Sequence, residues 1–193
     1  MNNLKKEIII TGFGGQGIIL AGKIVGMASA LYDNKESTFV QSYGPESRGG
    51  FCSAQVVISD KTIDYPYIKK PDILVCMSQG GYDKFIYNLK EDGTLIIDSD
   101  LVKSNIQREE YFSIPATRIA EEMGRKMMAN IIMVGFVTSV THVVSLEAAK
   151  KTVLESVPKG TEKLNTEAFI KGYDYGMATL KSREKKASGN IGA

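Results

Sequence analysis

The chain has 193 residues with 24 basic and 22 acidic side chains, which gives a formal net charge of +2 at pH 7. This length suits one well-cored domain, and so small a net charge excludes a broad electrostatic field for nucleic acid. No apolar run reaches the ~18 residues that span a bilayer. The apolar run Ile8–Ile10 near the N-terminus is too short for a secretory signal. We therefore expect a cytoplasmic protein that binds neither nucleic acid nor membrane.

The first sixty residues predict a strand, a glycine turn, a helix and a two-stranded hairpin. Residues 7–11 form a β-branched run that ends in glycine, which is typical of a buried strand. Residues 18–31 carry apolar side chains at helical spacing. Residues 37–42 and 52–59 have the pattern of strands. Because only a short loop separates these two strands, we expect them to be antiparallel neighbours.

The middle of the chain continues the alternation of strands and helices. Residues 73–77 and 95–98 are continuous apolar runs, the pattern of strands buried on both faces. The other predicted elements here are a helix at 82–89, a last strand at 111–114 and a helix that Pro115 opens and that continues to Arg125.

Beyond Asn130 the pattern predicts helices alone. Residues 131–144 are nearly all apolar, Ser145 is a good N-cap for a helix at 146–157, and Asn165 or Thr166 caps a final helix to about Lys181. The whole pattern predicts an α/β fold: a three-layer α/β/α domain with a mixed, mainly parallel sheet and a helical C-terminal part. We expect a single domain at 1–183 and a disordered tail at 184–193.

A glycine loop follows the first strand and comprises Gly12, Phe13, Gly14, Gly15, Gln16 and Gly17. Its spacing matches the dinucleotide fingerprint, in which the glycines let the backbone approach an anion at a helix N-terminus. However, the second strand ends in Val40-Gln41-Ser42 and lacks the carboxylate that would bind a ribose. A conventional NAD site, a purely structural turn, and an anion or cofactor site shared with a partner all remain open. Gln16 could orient a ligand or cap the helix.

A second loop, residues 42–50, also has the chemistry of an anion site. Pro45 stiffens it, and Gly49 and Gly50 let the chain reverse into the next strand. Arg48 can make bidentate contacts with phosphate or carboxylate, or it can pair with Glu46 inside the loop. If the strands before the two loops are parallel, both loops leave the edge of the sheet where α/β folds bind ligands. We expect Tyr43, Arg48, Gly49 and Gly50 to contribute to a ligand site.

Neither loop contains a residue that could break bonds alone, so we assign no catalytic residue to this chain. Cys52 and Cys76 are separated in sequence, lie in apolar stretches and are expected to pack as small buried hydrophobes. His142 is expected to be a satisfied helix residue. With this ligand count the chain can hold neither an iron–sulfur cluster nor a structural zinc ion by itself.

Several segments of the chain resemble the gamma subunit of the 2-oxoacid:ferredoxin oxidoreductases. They are the two loops, residues 71–75, Asn130 and residues 165–169. The likeness extends from about residue 6 to residue 180, and the pairing of a GGQG loop with a YGPESRGG loop is fairly specific.

The resemblance implies that the chain is inactive alone and binds no cofactor alone. It implies a complex with alpha, beta and delta subunits that converts a 2-oxoacid to an acyl-coenzyme A and passes electrons to ferredoxin. Thiamine diphosphate with Mg, iron–sulfur clusters and coenzyme A then belong to the assembled complex. The resemblance favours 2-oxoglutarate, with pyruvate and branched-chain oxoacids as alternatives. Arg48, Tyr43 and the Gly49–Gly50 backbone are expected to receive a coenzyme A phosphate or the substrate carboxylate.

Two other functions remain open from sequence. A free-standing NAD-dependent dehydrogenase would use the glycine loop for its cofactor. A noncatalytic scaffold would use both loops as interface structure, with residues 131–144 docking a partner.

Overall fold

The computed structural model of the chain describes residues 4–44, 50–105 and 111–189. These residues build a six-stranded sheet in the order β2-β3-β1-β4-β5-β6. The strands are β1 Lys5–Phe13, β2 Glu36–Tyr43, β3 Phe51–Ser59, β4 Ile73–Cys76, β5 Thr94–Asp98 and β6 Phe112–Ile114. The helices are α1 Ile18–Leu31, α2 Gln79–Phe85, α3 Ala116–Glu122, α4 Ala129–Thr141, α5 Leu146–Ser156 and α6 Glu162–Gly189.

The sheet is mixed and mainly parallel, as the sequence predicts. The pairs β1–β4, β4–β5 and β5–β6 are parallel, whereas β3 runs antiparallel to both β1 and β2. Because β3 opposes both of its neighbours, β1 and β2 point in the same direction. The carboxyl ends of β1, β2, β4 and β5 therefore lie at one edge of the sheet, which we call the carboxyl edge.

Both faces of the sheet are buried, and strand β4 shows how. Its alternate residues Ile73 and Val75 belong to one hydrophobic cluster, and Leu74 and Cys76 belong to the other. The first cluster packs under α1, α3, α4, α5 and α6, while α2 and the segment around Ile68 cover the second. The expected three-layer α/β/α architecture is confirmed, with most of the helical mass on one face.

Helices α4 and α6 pack so closely that their contacts require glycine. A Cβ atom on Gly135 would overlap the carbonyl oxygen of Phe169, and a Cβ atom on Gly172 would overlap the carbonyl oxygen of Ile132. Nearly every side chain of α4 is buried within the chain itself. Within the described ranges, no helix combines the length and the apolar character needed to cross a bilayer.

Several helix boundaries differ from the sequence predictions. The helix expected at 82–89 is α2 at Gln79–Phe85, followed by a 3-10 turn at Ile86–Asn88. Helix α3 ends at Glu122 rather than Arg125, because Gly124 adopts a φ of 76° and the N–H of Arg125 bonds back to the carbonyl of Ala120 at 3.0 Å. This is the glycine-terminated motif that commonly ends helices. His142 is not inside a helix: it ends α4 in a left-handed conformation with φ 51° and is exposed.

The last helix also begins and ends elsewhere. Neither Asn165 nor Thr166 is its cap, because α6 starts at Glu162, directly after the turn that contains Gly160 with φ 87°. The amide of Asn165 instead donates from inside the first turn to the carbonyl and hydroxyl oxygens of Thr161, each at 3.0 Å. The helix continues through Gly189, past the predicted helix end at about Lys181. Ser145 caps α5 as predicted, accepting from the Ala148 N–H at 3.2 Å.

Candidate ligand-binding edge

The glycine loop, residues 12–17, connects the carboxyl end of β1 to the first turn of α1. Gly15 and Gly17 have φ angles of 92° and 73°. Residues that carry a Cβ atom rarely adopt this region of φ. Gly17 is also the residue before α1, and its surroundings are tight, since a Cβ atom there would overlap the side-chain amide of Asn130. The Asn130 amide donates to the Gly17 carbonyl at 3.2 Å, so the apolar helix α4 fixes the loop from below.

Gln16 holds the glycine loop to the neighbouring strand. Its side-chain oxygen accepts from the N–H of Phe13 at 2.6 Å, and its side-chain nitrogen donates to the carbonyl of Met77, just after β4, at 2.8 Å. Both ends of the amide are thus engaged with protein atoms, and no side chain caps α1. A Cβ atom on Gly12 would overlap the Gln16 oxygen, which explains the first glycine of the loop.

The glycine loop contacts the described C-terminal end of the second loop at the carboxyl edge, where the parallel arrangement of β1 and β2 places both. The N–H of Gly14 donates to the carbonyl of Gly50 at 2.8 Å. Tyr43 ends β2 at the same edge, and 62% of its surface is exposed. The predicted ligand residues Arg48 and Gly49 lie outside the described residues.

The N-terminus of α1 supplies positive potential beside these loops. The first N–H groups of an α-helix have no partner within the helix, and together they carry a partial positive charge. At α1 neither a side-chain cap nor an acidic residue in the first turn offsets this charge. Free backbone donors at a glycine-rich helix start form an anion site without any catalytic side chain.

A cavity of about 440 Å³ opens next to the α1 N-terminus. Its walls include Gly15, Gly17, Leu20, Asn130, Pro158 and Asn165, and two cations, Arg125 and Lys126, also line it. A second cavity of about 330 Å³, lined by Gly15, Gln16, Met77, Leu101 and Thr117, lies next to it and shares Lys126 and Met127. The site therefore combines backbone donors, two exposed cations and apolar walls.

Arg125 and Lys126 line the candidate site, and the sequence interpretation missed them. They follow the Gly124 turn that ends α3, and this turn brings them back over the glycine loop. Lys126 makes an exposed ion pair with Glu121 at 3.2 Å, and the described residues include no ion-pair partner for Arg125. The sequence signal that could have identified them is a pair of basic residues between Gly124 and the start of the buried helix α4.

Asp98 is a buried carboxylate at the carboxyl end of β5 and organises the wall of the second cavity. It accepts from the backbone N–H of Thr117 at 3.0 Å and from the Thr117 hydroxyl at 2.7 Å, and its other oxygen accepts from the Asp100 N–H at 3.0 Å. Burial raises the pKa of Asp98, although these hydrogen bonds work in the opposite direction. Its role is to fix the start of α3 against the sheet.

The two cysteines are buried on opposite faces of the sheet, Cys52 in one hydrophobic cluster and Cys76 in the other. Burial raises the pKa of both thiols, and the charge of Asp83 adds to the effect at Cys76. Neither thiol is positioned as a metal ligand. Among the described residues, no three His, Cys, Asp or Glu side chains are grouped as a metal site would require.

Comparison with known proteins supports the resemblance seen in the loops. The family model described as pyruvate ferredoxin/flavodoxin oxidoreductase matches residues 7–175. The chain is 54% identical over 175 residues to 2-oxoglutarate synthase subunit KorC from Methanocaldococcus jannaschii, covering 89% of this chain and 94% of the relative. It is similar to the structure of the keto/oxoacid ferredoxin oxidoreductase gamma subunit from Geobacter sulfurreducens, with a TM-score of 0.81, 38% identity and coverage of 91% and 98% of the two chains.

Two longer proteins contain a similar region. Ketoisovalerate oxidoreductase subunit VorA from Methanothermobacter thermautotrophicus is 33% identical over 129 residues, which are 67% of this chain but 27% of that one. The 2-oxoglutarate:ferredoxin oxidoreductase of Magnetococcus marinus, solved with 2-oxoglutarate, coenzyme A and succinyl-CoA bound, shares the fold with a TM-score of 0.81 at 22% identity, over 90% of this chain and 31% of that one. The chain therefore belongs to the pyruvate ferredoxin/flavodoxin oxidoreductase family, as a subunit of a 2-oxoacid:ferredoxin oxidoreductase of the gamma type.

Proposed function

We propose that this chain provides the anion-binding rim of a ligand cavity in a 2-oxoglutarate-type enzyme, while companion subunits carry out the chemistry. The observation that carries the proposal is the hydrogen bond from the Gly14 N–H to the Gly50 carbonyl, which joins both glycine-rich loops at the α1 N-terminus. The 54% identity to a 2-oxoglutarate synthase subunit supports 2-oxoglutarate over pyruvate or branched-chain oxoacids.

The ligand class follows from the donors present. The N–H groups at the start of α1 and the cations Arg125 and Lys126 suit an anionic end, such as a coenzyme A phosphate or an oxoacid carboxylate. The apolar walls suit the uncharged part of such a ligand. The cavity volume of about 440 Å³ is within the usual range for small-molecule sites. We propose that Tyr43, Arg48 and the Gly49–Gly50 backbone complete this rim.

The partners follow from the division of labour that the proposal requires. Thiamine diphosphate with Mg and the iron–sulfur clusters, which supply carbanion and electron-transfer chemistry when bound, are proposed to reside on alpha, beta and delta subunits. The cysteines of this chain pack into its own core. We propose a cytoplasmic heterotetramer that passes its electrons to ferredoxin.

The alternative of a free-standing NAD-dependent dehydrogenase is not favoured by the site. The described end of β2 presents Gln41, Ser42 and Tyr43, so no carboxylate there can bind a ribose. The scaffold alternative overlaps with the proposal and differs only in whether the rim contacts a ligand.

The test uses the enzyme reconstituted from this chain and its companion subunits. Replacing Arg125 and Lys126 by alanine is expected to raise the KM for coenzyme A or 2-oxoglutarate about tenfold or more and leave kcat nearly unchanged. The reason is that a hydrogen bond to a charged group contributes about 1.5–3 kcal/mol. The matched control removes two exposed cations of α6, Lys185 and Lys186, and should leave both constants unchanged.

Unchanged constants in the Arg125 and Lys126 variant, with the complex intact, would contradict the proposal. So would 2-oxoglutarate oxidation by the isolated chain, because the chemistry would then reside here. The single variant Arg48→Ala tests the second loop in the same assay.

A further inference from the structure

The two edges of the sheet are protected very differently. At one edge, β6 has only three residues, and the Arg183 side chain of α6 donates to the Tyr111 carbonyl at 2.6 Å while lying 3.8 Å over the Phe112 ring. At the other edge, β2 has eight residues and among the described strands pairs only with β3. Its register with β3 runs unbroken from Glu36 to Tyr43, so no bulge twists it away.

Strand β2 also lacks the residues that usually prevent edge pairing. Exposed edges are commonly blocked by lysine, by proline or by short length, because free N–H and C=O groups can accept another strand. Between Glu36 and Tyr43 there is neither a lysine nor a proline. Within the described part of the chain, the backbone on the outer side of β2 is therefore open to strand addition, whereas Arg183 of α6 contacts the opposite edge.

A groove of about 560 Å³ runs beside this edge, between β2 and the outer side of α1. Met27, Leu31 and Phe39 line it, and 57% of the Leu31 surface is exposed. Lys23 is a cation at the same groove. Ser37 also lines the groove.

The relatives provide the argument for the occupant of this surface. In VorA the corresponding region is 27% of a longer chain, so a larger polypeptide is covalently attached to it. The KorC subunit of Methanocaldococcus jannaschii and the Geobacter sulfurreducens gamma subunit, in contrast, are matched over 94% and 98% of their own length. An edge strand with an apolar groove beside it is the surface used when an extended segment adds to a sheet.

We infer that β2 and the α1 groove receive an extended segment of the larger subunit of the same enzyme. The segment adds a strand to β2, its apolar side chains enter the groove over Met27 and Leu31, and an acidic side chain meets Lys23. This inference rests on the proposed assembly with companion subunits, and it concerns a surface separate from the carboxyl edge.

Hydrogen exchange of the isolated chain and of the reconstituted complex tests the backbone part of the inference. Amides of residues 36–43 are expected to exchange about tenfold or more slowly in the complex, because strand addition gives partners to the outward N–H groups. Equal exchange of these amides in both samples would overturn the inference. Protection of the same amides in the isolated chain as a homodimer would also overturn it, because the occupant would then be a second copy.

Matched variants test the groove. Met27→Lys places a charge in the apolar groove and is expected to weaken binding of the larger subunit about tenfold or more. The control Met177→Lys makes the same replacement on α6, where 43% of the methionine is exposed, and should bind normally. Leu31→Lys repeats the test at a more exposed position, so that misfolding of one variant does not leave the question open. Normal binding by folded Met27→Lys and Leu31→Lys variants would overturn the inference.

These results separate the inference from the proposed function. A complex that forms with β2 still exposed removes only the inference. A chain that joins no larger subunit under any condition removes the proposed function as well.

Discussion

Substitutions at two glycines of the same loop separate two contributions to the free energy of unfolding. One is the backbone strain of a positive φ angle, and the other is steric overlap of the new Cβ atom with its neighbours. Gly15 and Gly17 both have positive φ angles, 92° and 73°. A Cβ atom on Gly15 would meet nothing within 4 Å, whereas one on Gly17 would overlap the amide of Asn130. Replacing each by alanine therefore imposes a similar backbone penalty but very different contacts.

The expected magnitudes follow from these contacts. Gly15→Ala should lower the free energy of unfolding by about 1–2 kcal/mol, the cost of a left-handed conformation for a residue with a Cβ atom. Gly17→Ala should add about 1–3 kcal/mol for overpacking, for a total of about 2–5 kcal/mol. In the double variant Gly17→Ala/Asn130→Ala the overlapping amide is gone, so the loss should be at least about 1 kcal/mol smaller than the sum of the single variants.

Urea unfolding of the isolated chain measures these values, with equal m-values as the check that only stability has changed. The reasoning would be refuted if Gly17→Ala cost no more than Gly15→Ala. It would be refuted equally if the double variant were additive, because the Asn130 amide would then not be the group that excludes a side chain.

Three further predictions follow from packing, hydrogen bonding and charge. Gly172→Ala should destabilise the chain by about 3 kcal/mol in urea unfolding, because the overlap is with the Ile132 backbone and no rotamer relieves it; a loss under 1 kcal/mol would show that α4 and α6 can separate. Gln16→Ala removes two hydrogen bonds and should cost about 2 kcal/mol and speed amide exchange in residues 12–17, whereas unchanged exchange would contradict its positioning role. The raised pKa of Asp98 means that the folded state holds this proton more tightly than the unfolded state. Its contribution to stability is therefore present at low pH and is lost as pH rises from the unfolded value through the folded one. The difference in unfolding free energy between wild type and Asp98→Asn should follow that decline, and a difference independent of pH would contradict it.

The regular elements were largely predictable because local pattern and tertiary burial agree in them. Helix α1 has the predicted bounds, Ile18–Leu31, and the apolar runs of β4 and β5 are buried on both faces. The antiparallel pairing of β2 with β3 followed from the short connection between them. The placement of both loops at one edge then followed from strand direction alone.

The structure differs from the sequence predictions where tertiary contacts determine a helix boundary or the role of a side chain. The early end of α3 depends on hydrogen bonds around Gly124 that close only once the helix exists. The start of α6 at Glu162 depends on the tight turn after α5, which a search for a capping side chain overlooks. Gln16 was expected to orient a ligand or cap a helix, yet its amide bonds to Met77, 61 residues away. A still larger separation in sequence hid Arg125 and Lys126, which reach the glycine loop only through the fold.

The central claim is that the carboxyl edge of this chain contacts the anionic part of a ligand in the assembled enzyme. A structure of the reconstituted complex with coenzyme A and 2-oxoglutarate tests it most directly. The account predicts a phosphate or carboxylate oxygen within about 3 Å of a backbone N–H of residues 15–20 or of the Arg125 or Lys126 side chain. Bound ligands that make no contact with this chain, or that contact it only away from the carboxyl edge, would contradict the account.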